Sequence, residues 1–340
     1  MSNRALRVAR RPLCFELQCA AGRGAQLGPF LCQKVSLKAR LAQGLGAAPG
    51  FCHAAARKVL AAKQNGAMKI AAVQMIATPE WARNRDAAAR LVAQAAAAGA
   101  QLVVLPEYFC LMGRNDTDKL ALAEPAAGES NQGPIQRFLS DTAQAHGVWL
   151  VGGTLPVTHS ATQALNRCCV FAPDGSLATH YDKVHLFGFN NGKESYDEGQ
   201  TLQAGTQAVA FDATAGGETL RVGLSICYDL RFPELYRALM HPPCDLICVP
   251  AAFTHTTGEK HWEVLQRARA IENQCYVLAS AQGGKHENGR RTWGHSMVIG
   301  PWGDVISVLP EGEGFVMADF SRERINQVRA QLPALRHRKL

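Results

Sequence analysis

Regular recurrence of apolar positions begins at Met68. The segment MKIAAVQM is a nearly unbroken apolar run of strand length, the pattern of a strand covered on both faces. Beyond it, short apolar runs alternate with longer stretches that repeat every three to four residues. The pattern predicts strands over 69–75, 101–106 and 148–153, with helices over 80–99 and 131–146 between them. Thr78-Pro79 opens the first helix, and Gly99 and Gly147 stop the two. Strands over 166–171 and 177–181 flank Pro173-Asp174-Gly175, a turn signal. Further along, the pattern predicts a strand over 219–226, a helix over 233–240, a strand over 245–250 and a helix over 259–273. Strands over 275–281, 295–300, 303–309 and 314–319 follow, and a last helix covers about 321–332. This order gives one α/β domain with mixed sheets rather than a doubly wound one. No internal repeat is visible.

Residues 1–67 show no such periodicity. They contain 11 of the Lys and Arg and one acid, Glu16, together with four cysteines. Three readings are open: an organelle transit peptide, a disordered basic arm, or a start codon assigned too far upstream. Transit peptides are Arg-rich and acid-poor but also Ser-rich, and only Ser2 and Ser36 occur here. The expected division is therefore a basic extension over 1–67 and a single folded domain over 68–340, with Met68 as the working start.

This split changes the meaning of the net charge of +8, because the rest of the chain carries 25 basic and 27 acidic residues. A near-neutral domain offers no broad basic footprint for phosphate backbones, so no nucleic-acid partner is expected. No apolar run reaches the 18 residues of a membrane-spanning helix, so no membrane partner is expected either. The 11 cysteines are odd in number and lack paired zinc spacing. Cys168, Cys169, Cys244, Cys248 and Cys275 fall in apolar stretches, where free cysteine packs as a small hydrophobe. A reducing compartment follows, with the cytoplasm expected and mitochondrial targeting by residues 1–67 as the alternative.

Three strand ends carry residues able to do chemistry. Cys227, in LSICYDLRFPEL, sits after an apolar strand and before a helix, where the helix N-terminus would favour the thiolate. The plain alternative is a packed core cysteine. Glu107, in LVVLPEYF, ends an apolar strand, where partial desolvation would raise its pKa and suit it to proton transfer; the alternative is an ordinary solvated acid. Lys183, in HYDKVHLF, could stabilise charge on both, or be a surface lysine.

Glu, Lys and Cys at strand ends in this order and context resemble the nitrilase (carbon–nitrogen hydrolase) superfamily, from Met68 to about His337. GGT at 152–154, N-x6-P-D-G at 166–175, CYDLRFPEL at 227–235 and HWEVLQRARAIENQCYV at 261–277 carry the same resemblance. It implies a four-layer α-β-β-α sandwich and a small-molecule amide substrate. It also implies a homodimer or higher homo-oligomer, with helices 233–240 and 259–273 as interface candidates. Cys227 would form a thioester, Glu107 would move protons, and Lys183 and the Tyr228 N–H would hold the oxyanion. A second glutamate is implied after the lysine, with Glu198 the best match and Glu194 the alternative. No cofactor or metal is expected, since thiol, carboxylate and ammonium cover every transfer. AAFTHTTGEKHWEVLQ, AQGGKHENGRRTWGHSM and LPALRHRK resemble the Nit branch and lean toward hydrolysis of deaminated glutathione. The alternatives are ω-amides such as 2-oxoglutaramate, then N-carbamoyl compounds or nitriles.

Such a substrate carries carboxylates. Arg231 could bind one bidentately or pair internally with an acid such as Glu234. Thr257 could donate its hydroxyl to the same carboxylate or cap a helix starting near Gly258. Phe253 could wall the pocket or pack in the core. His185 and His295 are expected to be structural, and Trp262 and Trp302 to be core or interface residues.

Overall fold

The computed structural model describes residues 67–126 and 133–339. The expectations for the basic extension lie outside these residues, apart from Ala67. In chain order the elements are β1 (Lys69–Gln74), α1 (Trp81–Ala97), β2 (Leu102–Val104), α2 (Asp118–Ala121), α3 (Pro134–His146), β3 (Trp149–Val151), β4 (Leu155–Thr158), β5 (Ala164–Phe171) and β6 (Leu177–Asp182). Then come β7 (Gly188–Asn190), β8 (Ser195–Asp197), β9 (Leu202–Gln203), β10 (Ala210–Ala215), β11 (Glu218–Leu224), α4 (Pro233–Ala238), β12 (Leu246–Ala251) and α5 (His255–Asn273). The last are β13 (Tyr276–Ala281), β14 (Ser296–Ile299), β15 (Val305–Leu309), β16 (Gly314–Asp319), α6 (Arg322–Gln331) and α7 (Ala334–His337).

Two mixed sheets form. The first runs β16-β1-β2-β3-β5-β4, with β6 and β9 also paired to β5. The second runs β10-β11-β12-β13-β14-β15. At the centre of each, strands are parallel: β1, β2 and β3 in one, β11, β12 and β13 in the other. Parallel strands need covering on both faces, and the residues of β1 show how. Ile70 and Ala72 pack with Val222, Leu224, Ile247 and Val249 of the second sheet. Ala71 and Val73 face the other way, onto Ala88, Leu91 and Val92 of α1 and Leu139 and Ala143 of α3. Tyr236 of α4 and Trp262 and Ala270 of α5 belong to the cluster of the second sheet. The result is the helix–sheet–sheet–helix sandwich that the resemblance implies.

The sheets are stitched together at one end. Gly283 N–H donates to the Met75 carbonyl at 2.8 Å, and the Ser280 hydroxyl to the Val73 carbonyl at 2.5 Å. At this end the chain leaves the strands sooner than the apolar runs suggest. The runs over 101–106 and 148–153 give strands of only three residues, Leu102–Val104 and Trp149–Val151. The residues that follow form buried loops instead. The helix expected from 233 to 240 ends at Ala238 and is preceded by a 3-10 turn, Cys227–Arg231. The helix expected from 259 begins four residues earlier, at His255. Strands β4, β7, β8, β9 and β10 go beyond the sequence pattern; most are two to four residues long, too short for a period to show.

Candidate active site

Glu107 follows β2 in the loop Leu105-Pro106-Glu107, only 1% exposed. Two features of the GGT segment shape that loop. Gly153 has φ +58°, and a Cβ there would stand 2.2 Å from the Pro106 carbonyl oxygen. Only glycine lets the two loops pass so closely. Thr154 then accepts the Tyr108 N–H on its hydroxyl at 2.9 Å. The carboxylate of Glu107 is held at both oxygens. Oε1 accepts from Asn166 Nδ2 at 3.0 Å and from Lys183 Nζ at 2.8 Å, and Oε2 accepts the Ala252 N–H at 2.9 Å. Gln282 Nε2 donates to the Glu107 carbonyl at 3.0 Å. Burial, with Glu198 adding to it, raises the Glu107 pKa above the usual carboxylate value; Lys183 opposes this without cancelling it.

Lys183 follows β6 and is as buried as Glu107. Its ammonium lies between Glu107 and Glu198, 2.8 Å from each. Burial alone would lower its pKa, but the two carboxylates outweigh burial and hold it well above the ordinary lysine value. Glu198 opens a short 3-10 turn after β8. It also accepts from the Phe187 N–H at 2.8 Å and the Tyr108 hydroxyl at 2.7 Å. Burial works against its charge, yet Lys183 and these donors keep it below the usual glutamate range. Of the two candidate glutamates, the structure therefore brings Glu198 to Lys183. Glu194 lies outside, accepting from the Thr256 hydroxyl at 2.8 Å.

Cys227 opens the 3-10 turn after β11 with φ +45°, a left-handed conformation that costs a non-glycine residue on the order of 1–3 kcal/mol. Its thiol lines the same cleft as the Glu107 carboxylate and feels its negative charge. The sequence context suggested a helix end favouring thiolate. The structure differs: burial, together with Glu107 and Glu198, pushes the thiol well above its ordinary pKa, and Lys183 alone works the other way. Two carboxylates against one ammonium leave no room for a third negative charge at rest. The resting group is a thiol poised on a base.

What fixes the turn is Asp229, fully buried and not singled out by the sequence. Its Oδ2 accepts the Tyr181 hydroxyl at 2.7 Å and the Ile226 N–H at 2.8 Å. Its Oδ1 accepts the His185 N–H at 3.0 Å and meets His185 Nδ1 at 2.7 Å. His185 lies flat on Phe232, ring centroids 3.7 Å apart. One carboxylate thus binds the nucleophile turn to the segment that carries Lys183. The signal in the sequence was an acid two residues after Cys227 in a turn with no solvent-facing pattern. Asn166 was visible only as part of a family-like string; here it holds the Glu107 carboxylate.

These groups lie at the foot of an open cleft. Tyr228, Phe253 and Thr257 line it, along with Tyr108, Phe187 and Lys119 among others. Phe253 also packs on Trp262, centroids 5.1 Å apart. Thr257 lies inside the first turn of α5, its hydroxyl 2.8 Å from that of Thr254. Arg231 is not among the lining residues. Its guanidinium lies 5.2 Å from the centroid of the Phe253 ring and 5.7 Å from that of the Tyr228 ring. Its polar partner is His261 Nδ1 at 3.3 Å, not Glu234. His295 bonds the Trp293 carbonyl at 2.9 Å and stacks on the Trp293 ring, away from the thiol. Trp262 is core, whereas Trp302 is 51% exposed.

A two-sheet sandwich with this cleft at its stitched end defines a hydrolase of the nitrilase type. The chain belongs to the carbon–nitrogen hydrolase family, whose model matches residues 69–330. It is 42% identical to the deaminated glutathione amidase of Synechocystis over 272 residues, 79% of this chain and 97% of that one. It is 37% identical to omega-amidase NIT2-B of Xenopus laevis over 80% of this chain and 95% of the relative. The crystal structure of Saccharomyces cerevisiae Nit3, a member of branch 10 of the nitrilase superfamily, superposes with a TM-score of 0.72. It is 30% identical, covering 81% of this chain and 97% of that one.

Proposed function

We propose that this protein hydrolyses the amide bond of deaminated glutathione to 2-oxoglutarate and cysteinylglycine, with Cys227 as nucleophile. The observation that carries the chemistry is the buried Glu107 carboxylate, bonded to the Lys183 ammonium and lining the foot of the cleft together with the Cys227 thiol. Glu107 takes the thiol proton as sulfur attacks the amide carbonyl, so no free thiolate need accumulate. The carbonyl oxygen gains negative charge, which Lys183 and the Tyr228 N–H, in the opening turn after β11, hold. Glu107 gives the proton to the departing amine, leaving a thioester. It then takes a proton from water, which releases the acid and restores the thiol. Glu198 keeps Lys183 charged and in place.

The substrate rests on the 42% identity to a deaminated glutathione amidase over nearly all of that relative. The ω-amidase similarity favours a second reading, action on 2-oxoglutaramate with ammonia leaving. The test measures 2-oxoglutarate from each substrate, with Cys227→Ala as blank. Higher kcat/KM on deaminated glutathione, lost in the variant, supports the first reading. Higher kcat/KM on 2-oxoglutaramate moves the assignment to the second, and no release from either overturns both.

Two further assignments belong to the same proposal. The protein pairs with a second copy of itself through the α5 face that exposes Val264 and Ile271, beside Trp302 and Val305 of the second sheet's edge. It works in the cytoplasm, in keeping with seven described cysteines that are all free. No helix among the described residues is long and apolar enough to cross a membrane.

A further inference from the structure

Four cations line the cleft: Lys119, Lys183, Arg290 and Arg291. Three have acidic partners. Lys183 is shared by Glu107 and Glu198, Arg290 meets Asp116 at 2.6 Å, and Arg291 meets Glu311 at 2.9 Å. Lys119 has no ion pair or hydrogen bond among the described residues. It is half-buried on α2, its ammonium 5.7 Å from the centroid of the Tyr108 ring. Tyr108 is the residue after Glu107, so this charge sits beside the reacting centre rather than out at the rim.

We propose that Lys119 is the specificity-determining cation of the cleft, reading a carboxylate of the amide substrate; this rests on the amidase reading above. Half-burying a lysine without an acid is unfavourable unless a ligand completes the pair. Burial lowers the Lys119 pKa, with Glu198 and Asp116 opposing this and Arg290 and Lys183 adding to it, so a carboxylate bonded to the ammonium would restore the charge that burial weakens. Deaminated glutathione offers two such groups: the 2-oxo acid on the acyl side and the glycine carboxylate on the leaving side. The same chemistry recognises either. Arg231, which the sequence offered for this task, lies against the Phe253 and Tyr228 rings and is not among the residues lining the cleft.

The experiment compares wild type, Lys119→Met and Lys119→Arg on four amides. These are deaminated glutathione, its glycine carboxamide, 2-oxoglutaramate and butyramide, which has no carboxylate. The expected result is that Lys119→Met lowers the preference for deaminated glutathione over butyramide about tenfold or more, through KM, and that Lys119→Arg restores most of it. A loss confined to deaminated glutathione places Lys119 on the glycine carboxylate. A loss shared by the glycine carboxamide and 2-oxoglutaramate places it on the 2-oxo acid. An unchanged preference overturns the proposal, as does an equal fall on butyramide, which is what a merely structural disturbance gives. Wild type inactive on every amide overturns the function itself and this inference with it. Calorimetry of 2-oxoglutarate and cysteinylglycine on Cys227→Ala, with and without Lys119→Met, reads the contact without turnover. Equal affinity for both ligands in both proteins also overturns it.

Discussion

Asp229 and His185 are bonded twice, through the backbone N–H at 3.0 Å and the ring Nδ1 at 2.7 Å. With Tyr181 and Ile226 on the other carboxylate oxygen, this acid joins two loops that arise from different sheets. Removing it strands several buried donors at once. Asp229→Ala is expected to cost on the order of 3–5 kcal/mol, with kcat falling in the fraction that stays folded. Asp229→Asn keeps one acceptor and costs less. Urea midpoints and kcat for both variants check this; an alanine variant within about 1 kcal/mol of wild type would show that the contacts do not clamp.

Glu198 and Glu194 separate cleanly as targets. Glu198→Gln removes one of the two charges holding Lys183, and kcat is expected to fall about 10²- to 10³-fold. Glu194→Gln breaks only an outlying bond to Thr256 and stays within about twofold of wild type. The reverse ranking would transfer the role to Glu194.

The acid limb of kcat/KM reports Glu107 in its ionised form. Its pKa is raised, so activity rises with pH through a midpoint above the ordinary glutamate value of 4.5. Glu198 contributes to that rise, and it also competes for Lys183. Replacing it by Gln removes a nearby negative charge and leaves Lys183 to Glu107 alone. Both changes lower the Glu107 pKa, so the acid limb of Glu198→Gln moves to lower pH even as the rate falls. A limb that moves to higher pH contradicts the charge arrangement.

Thiol labelling tests the resting protonation state. A thiol held above its ordinary pKa alkylates slowly at neutral pH and faster as pH rises. Peptide mapping after iodoacetamide should find Cys227 modified slowly at pH 7, with a rate still climbing past pH 9. Cys110, Cys168, Cys169, Cys244, Cys248 and Cys275 are all buried and are expected to stay unmodified in the native protein. Fast modification of Cys227 at pH 6 would mean a resting thiolate.

Gly153→Ala places a methyl 2.2 Å from the Pro106 carbonyl at a positive φ. The expected loss is about 2–4 kcal/mol, with reduced kcat because Glu107 follows Pro106 directly. Thermal unfolding and kcat of the same preparation decide it.

Much of this molecule can be read from the residues. The double-sided apolar runs gave the central strands, and the helices at 81–97 and 134–146 stand within three residues of their expected limits. Glu107, Lys183 and Cys227 were visible as polar groups ending apolar runs. Misreadings cluster at the same strand ends. Leu105 is as apolar as its neighbours yet lies in a loop, because the site needs the chain to turn there. Arg231 was offered as a ligand-binding cation because it is four residues from Cys227; spacing along a chain did not show that its guanidinium would lie against the Phe253 and Tyr228 rings. Asp229 and Asn166 were not singled out because their partners are distant in sequence.

The stitched end of the sandwich has one more consequence. Glu107 and Lys183 arrive from the first sheet, Cys227 from the second. A nascent or half-folded chain therefore holds its nucleophile in one piece and its base in the other, and neither piece is an enzyme. Catalytic competence appears only when the two halves close on each other, so turnover counts fully assembled molecules, and a loosened seam is silent before it is unfolded.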